Sequence, residues 1–192
     1  MAIYKELLDQ NCAVIVKKVL EKMQLYKVGS NGKIPVPHDP ILYRWWFPDD
    51  SKVLKSIRAY SETDTEMSDL LKRVETREKD GKTYHALYFG KSNDGYRRFV
   101  HHSTGNIHNS TLRLTVYGLC IGNKYDEKKE ELVTQILNEC YYEYLPFTEE
   151  GKLVECLEGI CIAVGNYPLN IDGNPVISGN WRKHLMNVRI IK

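Results

Sequence analysis

Tyr88, Arg97, Arg98, His101 and His102 fall within one short stretch of this 192-residue sequence, running His85-Ala86-Leu87-Tyr88-Phe89-Gly90-Lys91-Ser92-Asn93-Asp94-Gly95-Tyr96-Arg97-Arg98-Phe99-Val100-His101-His102. It opens as an apolar, aromatic run, breaks at Gly90, turns through Ser92 to Gly95 and closes as a short basic helix. A strand that delivers a tyrosine, a glycine that lets backbone approach a ligand, and a helix carrying guanidinium and imidazole groups suit phosphodiester chemistry. From His85 to Arg113 the ionisable residues are Lys91, Arg97, Arg98, Arg113, four histidines and a few tyrosines, with Asp94 as the one acid. Such a patch is what phosphate contact needs. A solvated helix face would carry the same charges.

A carboxylate comes from further along. Leu153, Leu157, Ile160, Cys161 and Val164 form an apolar stripe at helical spacing behind Thr148-Glu149-Glu150. With Leu157 turned to the core, Glu155 points to solvent. Glu158 falls about 100° round, at the border of the buried face, where a side chain lines a cleft. The same projection does not separate Arg97 from Arg98.

Other elements must position these groups. Residues 3–25 read as an amphipathic helix, followed by a glycine turn and a linker with Pro35, Pro37 and Pro40. Ile41 to Phe47 is an aromatic-rich strand, and its adjacent Trp45 and Trp46 point to opposite faces, so a second layer should cover one side. Ser51 offers a cap for a short helix, and residues 61–69 are polar and loop-like. Asp80-Gly81 is a hairpin turn signal between arms over 71–78 and 82–88. Ser103 to Ser110 reads as flexible, and helices are expected over Leu112 to Gly122 and after Asp126. Tyr141 to Phe147 reads as a strand, and the tail carries a short element over His184 to Ile191.

The totals describe one ordinary globular domain, or one with a sizeable insertion: 42% hydrophobic, 27% charged, net charge +2. Bulk charge therefore does not announce a nucleic-acid binder. No apolar run approaches a membrane span and no signal peptide opens the chain, so a cytoplasmic protein with no membrane partner is expected. Cys12, Cys120, Cys140, Cys156 and Cys161 form no CxxC pair, which fits reduced thiols and gives no zinc site.

The order of these pieces resembles the GIY-YIG nuclease superfamily. Ile41-Leu42-Tyr43 stands for its first motif, with Ile41 in place of the usual Gly. Tyr88-Phe89-Gly90 followed by Lys91-Ser92 stands for the second. Arg98 lies eight residues past Gly90 and His102 four past Arg98; Glu158 lies twelve residues before Asn170, which closes Pro168-Leu169-Asn170. His108 to Arg113 is similar to a Ser-Thr-Leu-Arg segment of some bacterial members. The resemblance covers about residues 40–175. It implies an α/β (α+β) domain with a small, mostly antiparallel central sheet of about three strands flanked by helices. Residues 1–39 would be an N-terminal helical extension and linker, about 48–82 an insertion between the first two strands, and 176–192 a tail packed on the domain.

The resemblance also implies a Mg²⁺- or Mn²⁺-dependent endonuclease acting on duplex, branched or single-stranded DNA, restriction-like or from a mobile element. Glu158 would hold the metal and Arg98 clamp the phosphate. Tyr43 or Tyr88 would take the water's proton if neighbouring cations lower its pKa, with His102 or Lys91 assisting. Lys91, Arg97, Arg113 and Asn170 would complete the DNA-facing set, Asn170 as the structural Asn. Two other classes fit the same residues: a non-catalytic nucleic-acid-binding module with this fold, and a structural domain for protein contact. Oligomeric state and cleavage site are not written in the sequence.

Overall fold

The computed structural model describes residues 2–29, 34–148 and 152–191, with side chains from residue 11 onward. Among these residues five antiparallel strands form one sheet: β1 (Gln24–Lys27), β2 (Ile41–Pro48), β3 (Thr76–Lys79), β4 (Lys82–Ser92) and β5 (Tyr141–Pro146), in the order β1-β5-β2-β4-β3. The helices are α1 (Ala2–Glu21), α2 (Lys52–Ser61), α3 (Thr65–Arg73), α4 (Gly95–Ser103), α5 (Thr111–Cys120), α6 (Glu130–Asn138), α7 (Lys152–Val164) and α8 (Gly179–Val188).

β2 is the hub. All eight of its residues are buried, because strands flank it on both edges and helices cover both faces. Ile41, Tyr43, Trp45 and Phe47 enter a core shared with α2, α3, α5 and α8, whereas Leu42 and Trp46 enter a second core with α1 and α7. The expected covering layer on the far side of the tryptophan pair is thus α1 with α7. β2 and β4 lie adjacent and antiparallel, Tyr43 opposite Gly90, although α2, α3 and β3 intervene in the chain. The Asp80-Gly81 turn closes the β3–β4 hairpin with φ of 50° and 72°, left-handed values that an Asp-Gly pair tolerates.

Several expectations are corrected. The sheet has five strands, not three. The N-terminal segment turns at Lys22 and supplies edge strand β1, whose Tyr26 stacks on Tyr144 at 5.3 Å between ring centroids. The polar stretch read as a loop holds α3: Asp64 caps it by accepting from the Met67 amide at 2.9 Å, and Met67 and Leu70 are buried. The tail helix is α8, earlier than expected, capped by Ser178 and burying Trp181, Leu185 and Val188. No helix among the described residues is long and apolar enough to cross a membrane.

Candidate active site

The site forms where β4 loses its strand neighbour. β3 pairs with β4 only as far as His85, so the β4 backbone beyond it faces an open edge. Unpaired sheet-edge groups need partners when covered. Here the chain after α7 supplies them: Leu169 N donates to Leu87 O at 3.0 Å. Asn170 then acts as a surrogate strand, its Oδ1 accepting from Phe89 N at 2.9 Å and its Nδ2 donating to Phe89 O at 2.7 Å. Next along the same edge, Lys91 N donates to Glu158 Oε1 at 2.9 Å. Asn170 was expected among the DNA-facing residues; it is buried, and both ends of its amide are occupied by the strand.

A bulge brings the second tyrosine in. Trp45 sits opposite Tyr88 and Trp46 opposite Ala86, so Leu87 is the extra residue in β4. Simple alternation would put Tyr88 on the face of Ala86, toward α1 and α7. One inserted residue reverses the phase. Tyr88 therefore joins the face of Tyr43, ring centroids 6.2 Å apart, while Phe89 takes the face of Ala86. Gly90 makes the arrangement possible for a reason other than ligand approach: a Cβ there would lie 2.7 Å from the Tyr43 hydroxyl oxygen.

Helix α4 covers this face. Asp94 caps it by accepting from Arg97 N at 2.8 Å, and Arg98 and His102, one turn apart, share its inner side. His102 is fully buried, with Nε2 2.8 Å from the Tyr43 hydroxyl and Nδ1 2.6 Å from Ser110 Oγ. Burial above all, with the charges of Arg98, His101 and Arg113, holds the imidazole well below its ordinary pKa, so it is neutral at pH 7.

A cavity of about 350 Å³ opens beside these groups, lined by Tyr88, Glu155, Glu158, Asn170, Asp172 and Arg189 among others. Desolvation raises the Glu158 carboxyl above the usual range against the lowering effects of Lys91 and Arg98. The charge of Arg98 acts on Tyr43, Tyr88, His102 and Glu158 alike. The structure thus brings Tyr43, Tyr88, Arg98, His102 and Glu158 into one neighbourhood. It does not meet the condition set for a tyrosine base. Burial raises both phenols above their ordinary pKa, and Arg98 only partly offsets this. The two hydroxyls are not equivalent, since the Tyr43 hydroxyl is bonded to His102 Nε2 whereas Tyr88 lines the cavity.

The remaining basic residues separate. Lys91 Nζ pairs with Glu155 at 3.5 Å, and Glu155, 67% exposed, faces solvent as expected while also lining the cavity. Arg97 is exposed on α4, beside the cleft rather than in it. Arg113 is corrected outright: it is 1% exposed, and its guanidinium donates to the carbonyls of His102 and Ser103 and to Thr134 Oγ1, tying α5 to α4 and α6. It is a structural cation, out of reach of DNA. Arg189, at the C-cap of α8, lines the cavity and was missed. Its signal was present in Trp181, Leu185 and Val188, whose helical spacing behind Ser178 seats Arg189 at the end of a packed helix.

A family model described as the GIY-YIG catalytic domain matches residues 41–191, from the start of β2 to beyond Arg189. No match is found among curated proteins or among solved structures.

Proposed function

The chain belongs to the GIY-YIG family, and from that premise we propose that it is a metal-dependent endonuclease hydrolysing phosphodiester bonds in DNA. What supports this is the convergence of Tyr43, Tyr88, Arg98 and His102 with a desolvated carboxylate, Glu158, beside one cavity. Arg98 has no ion-pair partner among the described residues. A guanidinium left unanswered next to a cleft suits an incoming phosphate.

Glu158 would hold a Mg²⁺ or Mn²⁺ ion. The donor set fits: Mg²⁺ takes one or two carboxylates and fills its shell with water and substrate phosphate. Among the described residues no group of three or more His, Cys, Asp or Glu forms a closed cage that would suit another mode. When bound, such an ion neutralises charge on the phosphate and the leaving oxygen.

The chain's own residues do the rest. Arg98 grips two non-bridging oxygens with its planar fork. Tyr88 meets the attacking water, and as a phenolate its oxygen takes the proton as the oxygen–phosphorus bond forms. Tyr43, held by His102, donates its O–H to the Tyr88 oxygen and stabilises the phenolate. His102 donates Nε2–H to Tyr43 and accepts from Ser110 at Nδ1, so every proton in the row has an acceptor. Because Tyr88 is raised, only a small fraction is ionised at neutral pH. The single-turnover rate should then climb about tenfold per pH unit between pH 7 and 9; a flat profile would assign the base elsewhere.

Plasmid nicking tests the whole reading. Wild type with Mg²⁺ should nick; Glu158→Gln should lose the cation and fall by a factor of about 10³ or more, and Arg98→Lys by about 10². Asp69→Asn, on the exposed surface of α3, serves as the control and should nick like wild type. Wild type that binds DNA yet cuts nothing over a broad substrate panel would make this a non-catalytic binding module.

A further inference from the structure

Arg189 stands in the cavity with no part in the roles above. It enters from the C-cap of α8. Its Nε donates to Thr115 Oγ1 at 2.7 Å and its Nη2 to Leu169 O at 3.3 Å, while Nη1 makes no hydrogen bond among the described residues. No carboxylate pairs with it there either. Thr115 is itself fixed, fully buried with its hydroxyl donating to Thr111 O at 2.7 Å. The helix end that carries Arg189 is also pinned: a Cβ on Gly118 of α5 would lie 2.0 Å from Val188 O, so α5 and α8 touch backbone to backbone one residue before the arginine.

A merely structural arginine at a helix end has no need to line the cavity that holds Tyr88 and Glu158. Half-buried cations are normally paired, yet this one is held by a hydroxyl and a carbonyl, which fix its direction, with Asp172 nearby but not in ion-pair contact. Arg98 likewise forms no ion pair among the described residues. One guanidinium lining the cavity and a second on α4, whose charge acts on Tyr88 and Glu158 of the cavity wall, match the several anionic oxygens of a phosphodiester.

We propose that Arg189 is a second phosphate-binding residue, anchored through Thr115 and Leu169 so that its free Nη1 end meets the DNA backbone in the cavity lined by Tyr88 and Glu158. This rests on the endonuclease reading for its substrate. Burial works against the charge of Arg189, and the nearby Tyr88 and Asp172 favour it, as expected of a cation held at a cavity wall.

The test measures wild type, Arg189→Met and Arg189→Lys by binding to a short DNA duplex in EDTA over a range of salt, by cleavage with Mg²⁺ at saturating DNA, and by thermal midpoint. Arg189→Met should make the plot of log affinity against log salt shallower by about one phosphate contact and slow cleavage about 100-fold. Arg189→Lys keeps the charge but cannot hold both anchors and reach the cleft, so its slope should match wild type while cleavage falls about tenfold. A slope and cleavage rate unchanged in both variants would make Arg189 a tie between α8 and α5, as would a drop in thermal midpoint with no change of slope. If Arg189→Met does not fold, Arg189→Lys decides: reduced cleavage upholds the proposal and wild-type cleavage overturns it. A wild type that binds with an Arg189-dependent slope but does not cut would end the endonuclease reading and leave the phosphate contact standing; one that neither binds nor cuts ends both.

Discussion

The two faces of the sheet each bury an arginine problem, and they solve it in opposite ways. On the α1–α7 face, Arg44 is fully buried and answered by acids. Its Nε donates to Glu143 Oε2 at 2.8 Å and its Nη1 to Glu75 Oε2 at 2.6 Å. Arg77 reaches the other Glu143 oxygen at 3.3 Å, Trp46 Nε1 donates to Oε2 at 2.9 Å, and the two guanidiniums each lie 4.6 Å from the Trp46 ring. On the α4 face and at the β4 edge, Arg98 and Arg189 form no ion pair among the described residues, though Glu158 and Asp172 lie near them, and the buried row is of neutral partners, Tyr88, Tyr43, His102 and Ser110. The first cluster is closed: charge and countercharge come from the same chain. The second is open, with positive charge waiting for an anion from outside. Arginine burial alone therefore does not mark a site; the missing counterion does.

The largest test of that contrast removes a counterion from the closed cluster. Glu143→Ala leaves the buried Arg44 with Glu75 as its one remaining acid and removes the partner of Arg77 as well, and should destabilise the protein by about 3 kcal/mol, while the folded fraction still nicks DNA. Denaturant titration reads the loss, and the double change Arg44→Met with Glu143→Leu should recover most of it. A mild effect from Glu143→Ala would mean that the cluster is wetter than its burial implies.

Gly90→Ala strikes the open side. The new methyl must displace the buried Tyr43 ring and break its bond to His102, so about 1–3 kcal/mol of stability should go, with cleavage lost beyond what the unfolded fraction explains. Cleavage equal to wild type would remove Tyr43 from the mechanism.

Acid should separate the two faces next. The folded-state pKa of His102 is depressed, so its contribution is full above the ordinary imidazole value of about 6.5 and is lost as pH falls toward the folded value: the unfolded chain binds a proton there that the folded chain refuses. Thermal midpoints of wild type should decline below about pH 6.5, and those of His102→Gln should decline less. Parallel curves would deny that the imidazole is buried neutral.

The smallest effect has an unusual sign. Glu158 is raised by desolvation, so its protonated form is favoured in the fold and its carboxylate weighs against stability once pH exceeds the folded value. At pH 7 Glu158→Gln should keep the acceptor for Lys91 N and raise stability slightly, about half a kcal/mol at most after solvent screening, or about 1–2 °C. The same variant is expected to be dead in nicking. A fall of several degrees would show that the carboxylate is tied down by contacts rather than strained by burial.

Much of this was legible in the chain. Ile41 to Phe47 read as a strand whose tryptophan pair called for a second covering layer, the Asp80-Gly81 turn marked the β3–β4 hairpin, and helical geometry favoured Glu158 over Glu155 as the border residue. Arg98 and His102, one turn apart, had to share a side of α4. Other features could not be read. The cation count treated Arg113 and Arg98 alike, yet one ties helices together and the other forms no ion pair among the described residues. Asn170 looked like a site residue because its motif does; its amide closes a sheet edge whose existence depends on where β3 stops.

The sequence by itself determined the strongly periodic elements and the faces within them, such as β2, α5 and α7, because side-chain periodicity is a local property of helix and strand, whereas polar α3 and edge strand β1 carry too little of it to be read. Only the tertiary structure decided which face meets which. The Leu87 bulge needs the β2 register to exist and, by shifting phase one residue, turns Tyr88 toward Tyr43. Arg189 reaches the same cavity only because Gly118 lets the end of α8 rest on α5. Register and backbone contact between distant segments are set by packing, and packing has no period to read along the chain.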